Sequence, residues 1–154
     1  FIENDVNLYE ELETALGMIT TLLRDSPVQL IQEIDDDLPL LEGDKRRIRQ
    51  IMLNLLSNAT KFTREGSIKV RLQSQKNYVL LTVADTGTGI SEEMQTLIFQ
   101  PFVQTEDGVR HAEGTGLGMP ITKNLVEAHG GEIWLHSEIG QGTNFYVSLP
   151  VKQS

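Results

Sequence analysis

The sequence predicts an α+β sandwich, a mixed sheet covered by helices, and two observations carry that reading. Apolar residues recur at helical spacing in three separated segments. Between and after them lie strand-like runs grouped as two hairpins, with one further strand standing alone. At 154 residues, 39% of them hydrophobic, the chain is sized for a single domain with one sizeable core.

The elements follow in order. Asn7-Leu-Tyr-Glu10 has the shape of a capping box, and Leu8, Leu12, Leu16, Ile19 and Leu23 continue at helical spacing to about Leu23. Pro27 ends any continuation. Val28 to Ile34 reads as a strand with Val28, Leu30 and Ile34 inward, and Asp35-Asp36-Asp37 as a solvated turn, a metal site being the alternative. Gly43-Asp44 opens a second helix, capped by Asp44, whose apolar face is Ile48, Ile51, Met52, Leu55, Leu56, Ala59 and Phe62. Ser67 to Ser74 and Tyr78 to Ala84 form the first hairpin around Gln75-Lys-Asn77. Ser91-Glu-Glu-Met94 starts a short helix with acids in its first turn, where the helix dipole favours them. From about Pro101 to Gly118 periodicity fails, and a loop that long in a compact domain is usually functional or disordered. Leu117, Ile121, Leu125 and Val126 mark a third long helix, stopped by Gly130-Gly131. Glu132 to Ser137 and Asn144 to Leu149 close the chain as the second hairpin, around Gly140-Gln-Gly-Thr143.

Composition bounds the function. Without cysteine, neither disulfides nor a thiolate metal site is possible. A net charge of −9 argues against a nucleic-acid backbone as the main partner. No apolar run approaches the roughly 18 to 20 residues that span a bilayer, and no signal peptide is visible. The expectation is a soluble, cytoplasmic domain with no direct membrane contact. The chain also opens without a Met, as a piece of a longer protein would.

Three patterns could carry chemistry. Asp85 ends the run Val79-Leu-Leu-Thr-Val-Ala84 and shares parity with Val79, Leu81 and Val83, so it points to their apolar side. A carboxylate there needs a donor. Gly87 and Gly89, lacking Cβ atoms, let the chain turn and a flat ligand come close, although an ordinary strand-to-turn exit looks the same. On the second helix Asn54, Asn58 and Lys61 fall on one line, Asn58 about 40° and Lys61 about −20° from Asn54. Asparagine is a mediocre helix former, so two in mid-helix need a reason. An amide oxygen suits Mg²⁺, and a lysine one turn on can neutralise a phosphate; a solvated polar face is the alternative. Finally, Gly114, Gly116 and Gly118 in Glu113-Gly-Thr-Gly-Leu-Gly-Met119 precede a helix whose positive end can meet phosphate, with a hinge as the bland alternative. The spacing is neither the dinucleotide fingerprint nor a P-loop.

In this order these patterns closely resemble the catalytic, ATP-binding domain of sensor histidine kinases, in the superfamily shared with gyrase, heat-shock chaperone and mismatch-repair ATPases. The likeness runs from about Val6 to Val151. Asn54-Leu-Leu-Ser-Asn-Ala-Thr-Lys-Phe-Thr63 resembles the family's asparagine box, Asp85 to Ile90 its first glycine box and Phe99-Gln-Pro-Phe102 its phenylalanine box. Gly114 to Gly118 resembles the second glycine box, and Gly140 to Thr143 the closing glycine-threonine turn. Met119-Pro120 departs from the commoner Leu-Ala, which the first turn of a helix tolerates.

The resemblance implies a Bergerat-type sandwich binding ATP or ADP with Mg²⁺. Asp85 would accept from adenine's exocyclic amine with Thr143 close by. Asn58 would hold Mg²⁺ with Asn54 beside it, Lys61 would contact phosphate, and Phe62 would lie near the base. Gly87, Gly89, Ile90, Phe102, Gly114, Thr115, Gly116, Leu117 and Gly118 would complete the nucleotide site. The stretch from about Pro101 to Thr115 would be a mobile lid carrying Arg110 toward the terminal phosphates. His111, His129 and His136 all lack the context of the family's phosphoacceptor histidine, which sits on a separate dimerising helix. The phosphoryl group would therefore go to a histidine domain outside this chain, with a response regulator downstream. ATPase relatives carry a glutamate where this chain has Asn54, and a neutral amide cannot activate water. An energy-transducing ATPase and a non-catalytic ATP sensor remain the competing readings.

Overall fold

A computed structural model of the chain describes residues 2–100 and 118–151. The expected lid, with Phe102, Arg110, Gly114, Thr115, Gly116 and Leu117, lies outside the described residues.

Strand β1 (Glu3–Val6) leads into helix α1 (Leu8–Leu22), whose cap is Asn7, its side chain accepting from the Glu10 N–H. Strand β2 (Gln29–Ile34), the short strand β3 (Leu41–Gly43) and helix α2 (Lys45–Phe62) follow. Asp44 caps α2 by accepting from the Arg46 and Arg47 N–H groups, which satisfies two otherwise orphaned donors. Strands β4 (Ser67–Ser74) and β5 (Tyr78–Asp85), the short helix α3 (Glu92–Leu97), helix α4 (Gly118–Ala128) and strands β6 (Glu132–Glu138) and β7 (Gly142–Pro150) complete the described chain.

Five strands form one sheet in the order β2-β4-β5-β7-β6, with β2 parallel to β4 and every other pair antiparallel. This is the mixed sheet expected. Strand alternation gives it one apolar face. Ile68, Val70 and Leu72 on β4, Val79, Leu81 and Val83 on β5, and Phe145, Val147 and Leu149 on β7 are all buried there. Helices α1, α2 and α4 cover that face, with α2 in the middle against β5 and touching both other helices. The six apolar residues Ile48, Ile51, Met52, Leu55, Leu56 and Ala59 are buried on α2. A partly buried ion pair, Arg49 Nη2 to Glu11 Oε1 at 2.7 Å, ties α1 to α2. On the opposite face of the sheet Trp134 stacks on Tyr146, with ring centroids 5.5 Å apart.

Two features go beyond the sequence reading, although the third long helix is where it was expected. Strands β1 and β3 were not foreseen; they pair with each other in a separate two-stranded sheet, and three or four residues are too few to show alternation. The inward face of α4 is Met119, Pro120, Thr122 and Val126, while Ile121 is 42% exposed and Leu125 is only half-buried. The helix turns a polar residue, Thr122, inward because Asn54 of α2 meets it there, and the apolar pattern shifts accordingly.

Candidate functional site

The register of the sheet assembles one end of the site. Ile68, Asp85, Thr143 and Ser137 form a continuous cross-strand row over β4, β5, β7 and β6. The apolar face thus ends in three neighbouring polar side chains. Asp85 is only 6% exposed, and burial raises its pKa above the usual carboxylate range, although two backbone hydrogen bonds pull the other way. Both bonds fall on Oδ1, from the Gly87 N–H at 2.9 Å and the Thr143 N–H at 3.3 Å. Oδ2 receives no hydrogen bond among the described residues. The parity argument for Asp85 therefore holds, and one of its oxygens is left for a ligand's donor.

Gly87 and Gly89 have a more immediate reason than ligand approach. A Cβ on Gly87 would lie 2.1 Å from the Phe62 carbonyl oxygen, which also accepts from the Thr88 N–H. Gly89 has φ +80, and a Cβ there would meet the Glu138 carbonyl oxygen at 2.2 Å. The glycine turn is thus wedged between the end of α2 and the β6–β7 hairpin. Ile90 packs against the core, and its N–H donates to Ser137 Oγ at 2.7 Å.

Helix α2 links this end to α4. At its C-terminal end the Phe62 carbonyl meets the Asp85 turn; two turns earlier, Asn54 meets α4. The Asn54 amide nitrogen donates to Thr122 Oγ1 at 2.9 Å and to the Gly118 carbonyl at 3.4 Å, and its oxygen accepts from Gln50 Nε2 at 2.6 Å. From Asn54 to Phe62 the helix rises about 12 Å. Asn58 and Lys61 lie along that span, half-buried and exposed respectively, and neither makes a hydrogen bond or ion pair with described residues. The half-buried Asn58 amide oxygen is a hard ligand of the kind Mg²⁺ accepts, and the Lys61 ammonium group one turn on is suited to pair with phosphate rather than with the metal. Gly118 begins α4, and a helix N-terminus favours an anion.

Two contributors escaped the sequence reading. Ser137 bonds Ile90, Thr143 and the Gly142 carbonyl, and Gln95 Nε2 clamps the Ile90 and Ser137 carbonyls at 2.7 and 3.1 Å. Neither stands in a recognisable motif. Only the β6–β7 register places Ser137 beside Thr143. Of the histidines, His129 is structural: its Nδ1 bonds the Leu125 carbonyl at 2.8 Å and its Nε2 accepts from the Asp44 N–H at 3.1 Å. His136 is exposed on β6 beside Glu138, while His111 lies outside the described residues.

Residues 43–153 match the family described as histidine kinase-, DNA gyrase B-, and HSP90-like ATPase. The chain is 40% identical over 98% of its length to the autoinducer 2 sensor kinase/phosphatase LuxQ of Vibrio vulnificus, of which it covers 19%. It is 42% identical over 92% of its length to the sensor protein TorS of Escherichia coli, of which it covers 15%. Among solved structures, the nucleotide-free catalytic domain of histidine kinase ThkA is similar with a TM-score of 0.85 and 29% identity, over 97% of each chain. Full-length ShkA in complex with AMPPNP is similar with a TM-score of 0.85 and 29% identity, over 97% of this chain and 31% of that one. The motifs, the mixed sheet and these likenesses agree: the chain belongs to the histidine kinase-, DNA gyrase B- and HSP90-like ATPase family, with sensor histidine kinases among its relatives.

Proposed function

We propose that this chain binds Mg-ATP and transfers its terminal phosphoryl group to a histidine on a separate dimerisation domain, in two-component signalling. The observation that carries the proposal is the pairing of a buried acceptor, Asp85 Oδ2, with the polar line of α2. Asp85 would receive the adenine amine, with Thr143 beside it. Asn58, with Asn54 next to it, would hold Mg²⁺, and Lys61 would face phosphate. When bound, the metal would supply positive charge against the phosphates; phosphoryl transfer needs mainly such positioning and electrostatics. Arg110 and the glycine residues Gly114 to Gly118 would add to this from the lid. The phosphoacceptor helix and a downstream response regulator would be the protein partners, and the cytoplasm the compartment. No described helix is long and apolar enough to cross a membrane.

Asn54 favours transfer to histidine over hydrolysis. Its amide nitrogen is committed to Thr122 and Gly118, and an amide cannot take a proton from water. The test is transfer of label from γ-labelled ATP to a separately prepared cognate dimerisation helix pair. Transfer by the wild-type chain is expected, and Asn58→Ala should abolish it while leaving ADP binding without metal largely intact. An Asn58→Ala variant that transfers at the wild-type rate would remove the metal assignment.

A further inference from the structure

The hydrogen-bond inventory around Ser137 decides which way the Thr143 hydroxyl points. A serine hydroxyl has one proton and two lone pairs. Ser137 Oγ has three neighbours: the Ile90 N–H at 2.7 Å, the Gly142 carbonyl at 3.0 Å and Thr143 Oγ1 at 2.7 Å. The amide can only donate and the carbonyl can only accept. The single Ser137 proton therefore goes to Gly142, and Ser137 Oγ accepts from Ile90. The remaining bond can form only if Thr143 donates its own proton to Ser137. That exhausts the Thr143 proton, and the rest of its oxygen is a pure acceptor.

Asp85 stands next to Thr143 in the same cross-strand row, with Oδ2 likewise an unfilled acceptor among the described residues. We infer that Ser137 is a specificity-determining positioning residue: it locks Thr143 as an acceptor, so that the site offers two acceptors and selects a purine with an amine at position 6 over one with a carbonyl. The inference rests on the nucleotide-binding reading above and names what tunes the base preference. Ser137 acts through Thr143 and has no contact of its own to make with the base. Gln95 supports it by holding the Ser137 and Ile90 carbonyls. An unlocked threonine hydroxyl would turn and donate to a carbonyl ligand, erasing part of the discrimination.

The test compares ADP with IDP, which carries a carbonyl where ADP has the amine, by calorimetric titration of the 154-residue chain. Wild type should favour ADP by at least about tenfold. Ser137→Ala should lower that ratio by roughly two- to tenfold, the worth of one neutral hydrogen bond. A merely structural loosening of the hairpin would weaken both nucleotides alike, and an unchanged ratio overturns the inference. In a Thr143→Val background Ser137→Ala should leave the ratio where it is, because the hydroxyl it governs is gone. A further fall there shows that Ser137 does not act through Thr143, and also overturns it. If Ser137→Ala folds poorly, Thr143→Val alone, which keeps Ser137 and its backbone bonds, must lower the ratio, and its failure to do so is equally decisive. A wild-type chain that binds neither nucleotide overturns the underlying reading first; the expected wild-type preference with an unmoved Ser137→Ala ratio overturns this inference alone.

Discussion

Asp85 is held where the fold favours its neutral form and the proposed ligand favours its charged form. Burial raises its pKa, and only the Gly87 and Thr143 amides offset that. The ligand-free chain therefore keeps the Asp85 contribution to stability at low pH and loses it as pH rises through the raised value. Nucleotide binding runs the other way, because an amine donor needs the carboxylate. ADP affinity should fall with decreasing pH, starting above the range where an ordinary carboxylate titrates. Asp85→Asn should flatten that profile and weaken binding by roughly ten- to a hundredfold, the worth of a hydrogen bond to a charged group. Calorimetry of both proteins across pH 4 to 8 checks it, and equal affinities for the two would remove Asp85 from the site. Asp85 was legible in the sequence because parity on β5 is local information. Ser137 was not, since its importance comes from facing Thr143 across a hairpin, and a serine near a strand end carries no mark of that.

Helix α2 is the element that joins the two ends of the site, and its own anchorage is a histidine. His129, just past the end of α4, accepts from the Asp44 N–H at the cap of α2 while its Nδ1 bonds the Leu125 carbonyl, an arrangement in which Nδ1 is the donor. Its ring lies against Gly43, where an added Cβ would be 2.8 Å from Cδ2. Gly43→Ala must displace the ring and should cost about 1 to 3 kcal/mol by overpacking. His129→Leu loses two part-buried hydrogen bonds and should cost about 1 to 3 kcal/mol through the partners left unpaired. Thermal or denaturant unfolding measures both, and an unchanged midpoint in either variant would show that the strap does not hold α2 to α4. The helix itself was plain from its apolar spacing and the Asp44 cap. Its tie to His129 was not, because the two residues are 85 positions apart and meet only through the packing of α4 on α2. The exposure of Ile121 was hidden for a similar reason: Asn54 draws Thr122 inward, a demand made by another element.

At the scale of the whole molecule, the chain spans about a fifth or less of LuxQ and TorS, and on the proposed function the phosphoacceptor would stand on a separate domain. The described histidines support that division. Both nitrogens of His129 are engaged between α2 and α4, and His136 stands exposed on a β-strand beside Glu138, far in kind from a dimerising helix. The chain alone, given γ-labelled ATP and Mg²⁺, should therefore bind nucleotide and acquire no acid-labile label. It should also release phosphate only slowly, because Asn54 supplies no base and its amide is spent on α4. Adding a histidine-bearing helix pair should move label onto that pair without raising free phosphate in proportion. The comparison needs both readings from one reaction, label on protein and phosphate in solution. Rapid phosphate release by the isolated chain, with no transfer to any added histidine domain, would decide for an ATPase of the gyrase or chaperone kind. Binding with neither release nor transfer would decide for a nucleotide sensor.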